Sequence, residues 1–275
     1  IKEYVKRVKE LGMDSAAITD HGVMYGIIDF YRAAKAEGIK PIIGCEVYLA
    51  ENSRFDRIRT QSFFNSHLVL LCKNEIGYRN LIYLVSKAYT EGFYMKPRID
   101  LELLQSHADG LICLSGCLSG RISKAILQDN IAEAERFAGV LLSIFGKENF
   151  YIELQYHGIP EQKQVLPQLI QIARELDIQV VATNDVHYIE ESDYDMHSVL
   201  LCIQTKSTLA QPKMKFSTNE FYMKTGDQMM ELFHYVPEAI TNTRVIANKI
   251  EEPVFDITPK GDPIRDTSLI PLYKP

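Results

Sequence analysis

The chain lacks any long apolar run, and its other absences exclude further classes of protein. No segment approaches the roughly 20 apolar residues that a membrane-spanning helix requires. Internal repeats and low-complexity tracts are missing, which excludes solenoid and fibrous architectures. The formal net charge is −6, so the sequence has no overall basic character, and contact with nucleic acid would need a local basic patch.

Paired cysteines are also missing. The five cysteines form no CxxC motif, and the start of the sequence has no signal-peptide pattern. An odd number of cysteines in such a chain is typical of a reducing compartment, where thiols stay free or bind metal. We therefore expect a cytoplasmic protein. The sequence opens at Ile1 with no methionine and no preceding strand, and we expect it to be a piece of a longer chain.

What the chain does contain is an alternation of helical and strand patterns. Its 275 residues, 46% hydrophobic and 24% charged, can bury the core of one α/β barrel-sized domain. The order of the elements favours a parallel sheet that is closed or wound, with helices outside it. Because six strands are awkward for a closed barrel, we expect an additional N-terminal strand. The predicted strands cover residues 15–19, 41–49, 66–71, 111–114, 150–154 and 178–183.

The segment after residue 190 has a different pattern. Prolines are frequent beyond residue 250, which is typical of an extended linker. We therefore expect a domain over residues 1–250, with a barrel core at 1–190 and an extension at 191–250, followed by a linker at 251–275. Within the extension the pattern predicts helices over 193–204, 229–233 and 237–250 and a short strand over 220–224.

Side chains that bind metals lie beside predicted strands at six positions. Imidazole, carboxylate and thiolate together suit transition metals, with zinc as the default and manganese or iron as alternatives. A barrel assembles such a site from the ends of several strands, and two or three ions in one pocket can activate water and hold a phosphate ester. The six candidates are His21, Glu46, His67, Cys117, Asp185 and His187.

Each candidate alone has a plainer interpretation. A single histidine after a strand is more often a hydrogen-bonded structural residue, and a single cysteine such as Cys117 is more often a small core residue. Glu46 is harder to explain in this way, because a carboxylate within an apolar strand is costly unless it is paired or coordinating. Asp185 and His187 point the same way if the strand geometry continues through them. His67 conflicts with the barrel rule, since it precedes its apolar run.

Two further positions are candidates for a role near a substrate. His157 follows the strand at 150–154, where a structural role and a role in supporting or facing the substrate are both open. Arg98 lies with Lys96 in an aromatic loop over residues 92–98, and either side chain could meet a DNA backbone or stack on a base. A solvated loop packed on a neighbouring domain is an equally good interpretation.

Five motifs, in order and at family-like spacing, resemble those of the PHP (polymerase and histidinol phosphatase) family. The likeness reaches roughly residue 250 and is strong for the PHP domains of bacterial replicative DNA polymerases. Residues 153–155, 204–209 and 220–224 extend it. The five motifs occupy residues 19–22, 44–48, 67–71, 114–117 and 183–188.

The resemblance implies an α/β fold, a distorted seven-stranded, TIM-like (β/α) barrel whose first strand is missing from this sequence. It implies metal ligands at all six candidate positions, with Asp20 as an adjacent supporting residue. Four of the ligands, His21, Glu46, Asp185 and His187, would act in activating water. The family's first strand carries a His-x-His motif, and we expect the metal site of this chain to be depleted without it.

The resemblance also implies a choice between functions. Family members that keep these ligands are expected to be metal-dependent 3′–5′ exonucleases that proofread a DNA 3′ end beside the polymerase domains of the same chain and other replisome subunits. Members with substituted ligands are expected to be inactive platforms that bind a separate proofreading subunit. A free-standing phosphatase of the histidinol-phosphate type is disfavoured by the proline-rich tail. The likeness stops before any polymerase active site, so the chain by itself is not expected to polymerise.

Overall fold

The computed structural model describes residues 1–57, 65–252 and 254, and seven strands of these ranges form one sheet. The six strands predicted for the barrel core are confirmed to within one residue at each end, and β4, only two residues long, was not predicted. The strands are β1 (Ser15–Ile18), β2 (Lys40–Leu49), β3 (Ser66–Cys72), β4 (Arg98–Ile99), β5 (Leu111–Leu114), β6 (Phe150–Leu154) and β7 (Gln179–Ala182).

Ten α-helices lie in the described part of the chain. Helices pack outside the sheet because their apolar residues recur at helical spacing, so that each has one buried stripe. The helices are α1 (Lys2–Glu10), α2 (Ile27–Glu37), α3 (Glu75–Thr90), α4 (Leu101–Ser106), α5 (Arg121–Leu127), α6 (Ile131–Phe145), α7 (Pro160–Glu175), α8 (Tyr194–Thr205), α9 (Gly226–Leu232) and α10 (Pro237–Lys249). None of them is both long and apolar enough to cross a membrane.

Local signals fix several helix ends. The side chain of Asn74 accepts a hydrogen bond from the backbone N–H of Gly77 at 3.1 Å and so begins α3. Helix α2 ends at Gly38, whose φ of 73° lies in the left-handed region that suits glycine. The strand predicted over residues 220–224 is wrong, because among the described residues this segment makes only one β-bridge, between Tyr188 and Tyr222.

The sheet has the order β1-β2-β3-β5-β6-β7, with β4 paired to the far end of β2. Strand β3 is antiparallel to both β2 and β5, whereas the other pairs are parallel. The expectation of a fully parallel sheet is therefore wrong for β3. An antiparallel strand begins at the edge where its parallel neighbours end, so His67, near the start of β3, lies opposite Tyr48 near the end of β2.

The two edge strands, β1 and β7, line the same cavity of about 590 Å³. Ala17 of β1 and Val181 of β7 both line it, so the sheet curls around the cavity as an incomplete barrel. Within the described residues, β1 pairs only with β2 and β7 only with β6, and Tyr4 of α1 and Ile246 of α10 line the open side. The additional N-terminal strand stays a prediction.

The C-terminal extension packs on the barrel rather than standing apart from it. The side-chain amide of Asn242, on α10, donates a hydrogen bond to the carbonyl of Val180 in β7 at 2.8 Å. The division at residue 190 stays a prediction. Most of the predicted linker at 251–275 lies outside the described residues, which end at 252 and 254.

Candidate metal centre

Three predicted ligands converge at the rim of the curled sheet. His21 follows β1, Glu46 lies in β2 and His67 is the second residue of β3. One ligand atom from each lies within 4.8 Å of the other two. His67 reaches this edge because β3 runs against its neighbours, which resolves its conflict with the barrel rule.

The other three predicted ligands border the same cluster. Sγ of Cys117 lies 3.9 Å from Nδ1 of His67. The His187 and His21 rings are 6.2 Å apart between centroids, and Oδ1 of Asp185 lies 3.7 Å from Nδ1 of His187. The structure thus brings together side chains spread over more than 160 residues of sequence. Their role as metal ligands stays a prediction.

The segment that carries Asp185 and His187 is a turn and does not continue β7. Strand β7 ends at Ala182, and Asp185 has a φ of 45°, a left-handed conformation that is strained for a residue with a side chain. The prediction that strand geometry aligns the two side chains is therefore wrong, although the turn places them side by side. Nδ1 of His187 lies 2.8 Å from the carbonyl oxygen of Asp185. A proton on Nδ1 leaves Nε2 with a lone pair for a ligand.

His157 supports this turn through a hydrogen bond to its backbone. Its ring is 1% exposed and stacks on Phe221 with centroids 4.1 Å apart. The amide of Gln162 donates to Nδ1 at 2.8 Å, so the ring carries its proton on Nε2 and donates it to the carbonyl of Asn184, also at 2.8 Å. Burial lowers the pKa of His157 and keeps it neutral. The structure thus gives His157 a supporting place one residue before Asp185, not a substrate-facing one.

Glu46 has the surroundings of a metal ligand. Its side chain is 9% exposed, and Oε1 touches Nδ1 of His67 and lies 3.5 Å from Nε2 of His21. No group among the described residues donates a well-aligned hydrogen bond to Oε1. Burial acts to raise the pKa of Glu46, but the nearby imidazoles of His67, His21 and His187 outweigh it and lower the pKa. A buried carboxylate oxygen that faces two imidazoles without a well-aligned hydrogen bond fits a cation shared with them.

Glu153 is a functional candidate that the ligand prediction missed. It lies in β6, is 4% exposed and lines the cavity beside Asp185. Burial raises its pKa to about 7, although Thr183 and Gln155 donate hydrogen bonds to it, and the charges of Glu46 and Asp185 add to the rise. The signal was present in the sequence, since Glu153 interrupts an apolar strand just as Glu46 does.

Cys117 shares this acidic environment. Burial, together with the negative charge of Glu46, raises the pKa of the Cys117 thiol to about 12. The thiol is therefore protonated at neutral pH unless a cation replaces its proton. The backbone N–H of Ser119 points at Sγ from 3.4 Å, which would help to stabilise a thiolate.

The two remaining candidates, Asp20 and Arg98, make hydrogen bonds to the protein backbone. The carboxylate of Asp20 accepts a hydrogen bond from the backbone N–H of Gly26 at 3.2 Å and so shapes the turn after His21. Arg98 is 1% exposed, and its guanidinium donates to the carbonyls of Gly92 and Asp56. The prediction that Arg98 meets a DNA backbone is wrong for this conformation, because the side chain points into the protein.

Comparison with known proteins matches residues 1–157 to the PHP domain. The chain is 46% identical to the DNA polymerase III subunit alpha of Treponema pallidum over 100% of its own length and 23% of that protein. It is also 46% identical to the corresponding subunit of Thermus aquaticus, over 91% of this chain and 21% of the relative. The chain thus spans less than a quarter of the length of these relatives.

A solved structure from Bifidobacterium adolescentis covers 67% of this chain and 81% of its own, at 13% identity and a TM-score of 0.38, which is too distant to bear on fold or chemistry. The PHP match, by contrast, extends over more than half of the chain and includes four of the six clustered side chains, His21, Glu46, His67 and Cys117. The chain belongs to the PHP domain family.

Proposed function

We propose that this chain is the PHP domain of a bacterial DNA polymerase III alpha subunit and that it cleaves DNA from a 3′ end with the help of divalent metal ions. The observation that carries the proposal is the convergence of three imidazoles, two carboxylates and a thiol at one edge of the curled sheet. The identity to alpha subunits over the whole chain supports the setting in DNA replication. The polymerase domains of the longer chain and other replisome subunits are then its partners.

The donor set suits zinc, with manganese or iron as alternatives. When bound, such ions polarise phosphate oxygens and lower the pKa of water, so that hydrolysis needs no side-chain nucleophile. The chain's own residues prepare the site. Glu46 supplies a buried negative charge, His187 would offer Nε2 as a ligand, and the Cys117 thiol would exchange its proton for a bond to the metal. His157 keeps the Asn184–Asp185 peptide in place through its hydrogen bond.

A second role, as an inactive docking platform, is favoured by the surface of α8. Met196, Leu200 and Ile203 recur along one side of this helix and are 65%, 56% and 69% exposed. Apolar side chains grouped in this way on a surface usually mark an interaction site. The occupant that we propose is the polymerase region of the longer chain, since the relatives are about four times longer than this sequence. Docking on α8 is compatible with nuclease activity. It would be the sole function of the chain only if no hydrolysis is found.

The test combines metal analysis with a nuclease assay on this chain and on a version extended by the expected N-terminal strand. After dialysis against zinc or manganese, bound metal is measured by mass spectrometry, and shortening of a 5′-labelled single-stranded oligonucleotide is followed on gels. We expect the extended version to bind metal and to shorten the oligonucleotide from its 3′ end. Glu46→Gln and Asp185→Asn should remove both properties.

Glu102→Gln is the matched control, because the Glu102 side chain is 88% exposed and its ion pair is with Arg54, which is not one of the candidate ligands. It should leave metal content and hydrolysis unchanged. Metal binding without hydrolysis in the extended version would favour the role of an inactive docking domain. Neither metal nor hydrolysis in that version would refute the proposal that this is a metal-dependent nuclease.

A further inference from the structure

Three exposed aromatic side chains form a cluster beside the candidate metal centre. Tyr25 lies in the turn before α2, Tyr89 near the end of α3, and Phe93 in the loop that follows α3. They are 83%, 41% and 52% exposed. The Tyr89 and Phe93 rings stack with centroids 6.0 Å apart, and Tyr25 lies close enough to Tyr89 to add to the rise that burial causes in the pKa of Tyr89. We call these three residues the aromatic platform.

The platform is physically continuous with the turn that carries His21. Gly22, the next residue, has a φ of 68°, and a Cβ added there would lie 2.9 Å from the Tyr48 ring and 3.0 Å from Pro97. The loop that carries Phe93 is therefore packed against the residue after a predicted metal ligand. Tyr25 follows only four residues after His21 on the other side of the same turn.

A cation lies near the metal centre, in the loop that also carries Phe93. The ammonium group of Lys96, an exposed residue, lies 5.1 Å from the centre of the Tyr48 ring. The Tyr48 ring in turn lies 5.1 Å from the centre of the His67 ring, so Nζ of Lys96 lies within about 10 Å of His67. The loop that carries Phe93 thus also places a positive charge near the metal centre, where it can attract a phosphate of a nucleic acid.

Negative charge does not cancel this arrangement, although the chain carries a net charge of −6. The acidic residue closest in sequence to the platform, Glu91, is held in ion pairs by Arg54 and Lys87. Successive exposed rings, a nearby cation and a neutralised carboxylate form the kind of surface that binds single strands, because every base offers a face for stacking. Duplex DNA offers no such faces.

We propose that the aromatic platform, with Lys96, binds the last bases of a single-stranded DNA and directs its 3′ end to the metal centre. The proposal deepens the nuclease function and rests on it for the identity of the substrate, but binding to the platform needs neither metal nor hydrolysis. Bases stack on Tyr25, Tyr89 and Phe93, and the ammonium group of Lys96 contacts a phosphate.

The absence of tryptophan from the chain provides a direct test. Phe93→Trp puts a single fluorescent indole on the platform, and Tyr83→Trp puts one elsewhere on α3 as a matched control. Tyr83 is 42% exposed, close to the value for Tyr89, but it stacks on His107 rather than on the platform. With chelator present, each variant is titrated with an eight-residue oligothymidylate and with a duplex of the same length.

We expect the oligothymidylate to quench Phe93→Trp and not Tyr83→Trp, and the duplex to quench neither. Fluorescence anisotropy of the labelled oligonucleotide should give the same Kd. Tyr25→Ala and Phe93→Ala should each raise this Kd about fivefold or more, whereas Tyr83→Ala should leave it unchanged. Lys96→Gln should weaken binding and reduce its dependence on salt.

Several results would overturn the proposal. Binding of the oligonucleotide without quenching of Phe93→Trp would place the strand elsewhere on the protein. Absence of binding would show that single-stranded DNA is not the ligand of the aromatic platform. If Phe93→Trp in the longer chain is already shielded from acrylamide without DNA, a protein surface occupies the platform instead. Hydrolysis with an unchanged KM in Phe93→Ala would overturn the platform while the nuclease function stood. Quenching without hydrolysis in the extended version would support the platform while the nuclease function failed.

Discussion

Glu153 should make the stability of the metal-free protein fall as pH rises through neutrality. Its carboxyl group is 4% exposed and accepts hydrogen bonds from the backbone N–H of Gly116 at 3.1 Å and from the side chains of Gln155 and Thr183 at 3.0 and 2.5 Å. Burial still outweighs these donors and raises its pKa to about 7. The folded protein therefore holds a proton that the unfolded chain releases near its ordinary pKa of 4.5.

The sign and size of the effect follow from linkage. Because the pKa is raised in the folded state, the contribution to stability is fully present below pH 4.5 and is lost as pH rises through about 7. At about 1.4 kcal/mol for each unit of pKa, the complete loss is about 3 kcal/mol. About 2.5 kcal/mol of it falls between pH 5 and pH 8. Glu153→Gln keeps the volume of the side chain and removes the titration.

Urea unfolding of the protein and of Glu153→Gln at pH 5, 6, 7 and 8, with chelator present, measures this contribution. The difference in unfolding free energy between the two proteins cancels groups that titrate alike in both. It should shift in favour of the variant by about 2.5 kcal/mol from pH 5 to pH 8. The exposed Glu102→Gln should show no such shift. A difference that stays constant with pH would refute the reasoning.

Three further substitutions test the site and its support. Glu46→Gln should weaken zinc or manganese binding at least about a hundredfold in isothermal titration, and unchanged affinity would argue against coordination by this residue. His157→Phe retains an aromatic ring against Phe221 but leaves the carbonyl of Asn184 without its donor. This substitution should lower the unfolding free energy by about 1–3 kcal/mol and the metal affinity about tenfold or more. A loss of stability with unchanged metal affinity would show that His157 does not position the metal ligands. Arg98→Met should cost about 3 kcal/mol in thermal unfolding, because buried carbonyls lose a charged donor.

The strands and helices could be predicted because their signals are local. Apolar runs of strand length, the cap at Asn74 and the glycine at residue 38 fix the bounds of elements whose surroundings agree with them. Strand direction is a different matter. The period of a sequence is the same in parallel and antiparallel strands, so nothing in residues 66–72 shows that β3 runs against its neighbours.

The signal that identified Glu46 in the sequence is also present at Glu153, which the ligand prediction missed. Glu46 was singled out because a carboxylate in an apolar strand needs a partner, and Glu153 in β6 carries the same signal. Only the curl of the sheet shows that both carboxylates face one cavity. The burial of Arg98 was hidden for the opposite reason. An arginine in a polar, aromatic loop reads as exposed until tertiary contacts with backbone carbonyls are known.

The cavity concentrates groups that repel one another without a cation, and this links metal binding to folding. The negative charges of Glu46 and Asp185 act on Glu153 and on the Cys117 thiol, and this repulsion adds to burial in raising the pKa values of these two groups. A divalent ion would relieve the repulsion, so zinc at a hundredfold excess over its Kd should stabilise the protein by about 2.7 kcal/mol. It should also flatten the pH dependence assigned to Glu153, since a nearby cation favours the carboxylate. Thermal unfolding without zinc and at one fixed zinc concentration, at pH 6 and at pH 8, measures both effects. Stabilisation that is equal at the two pH values, or absent, would mean that the ion does not share the cavity with Glu153.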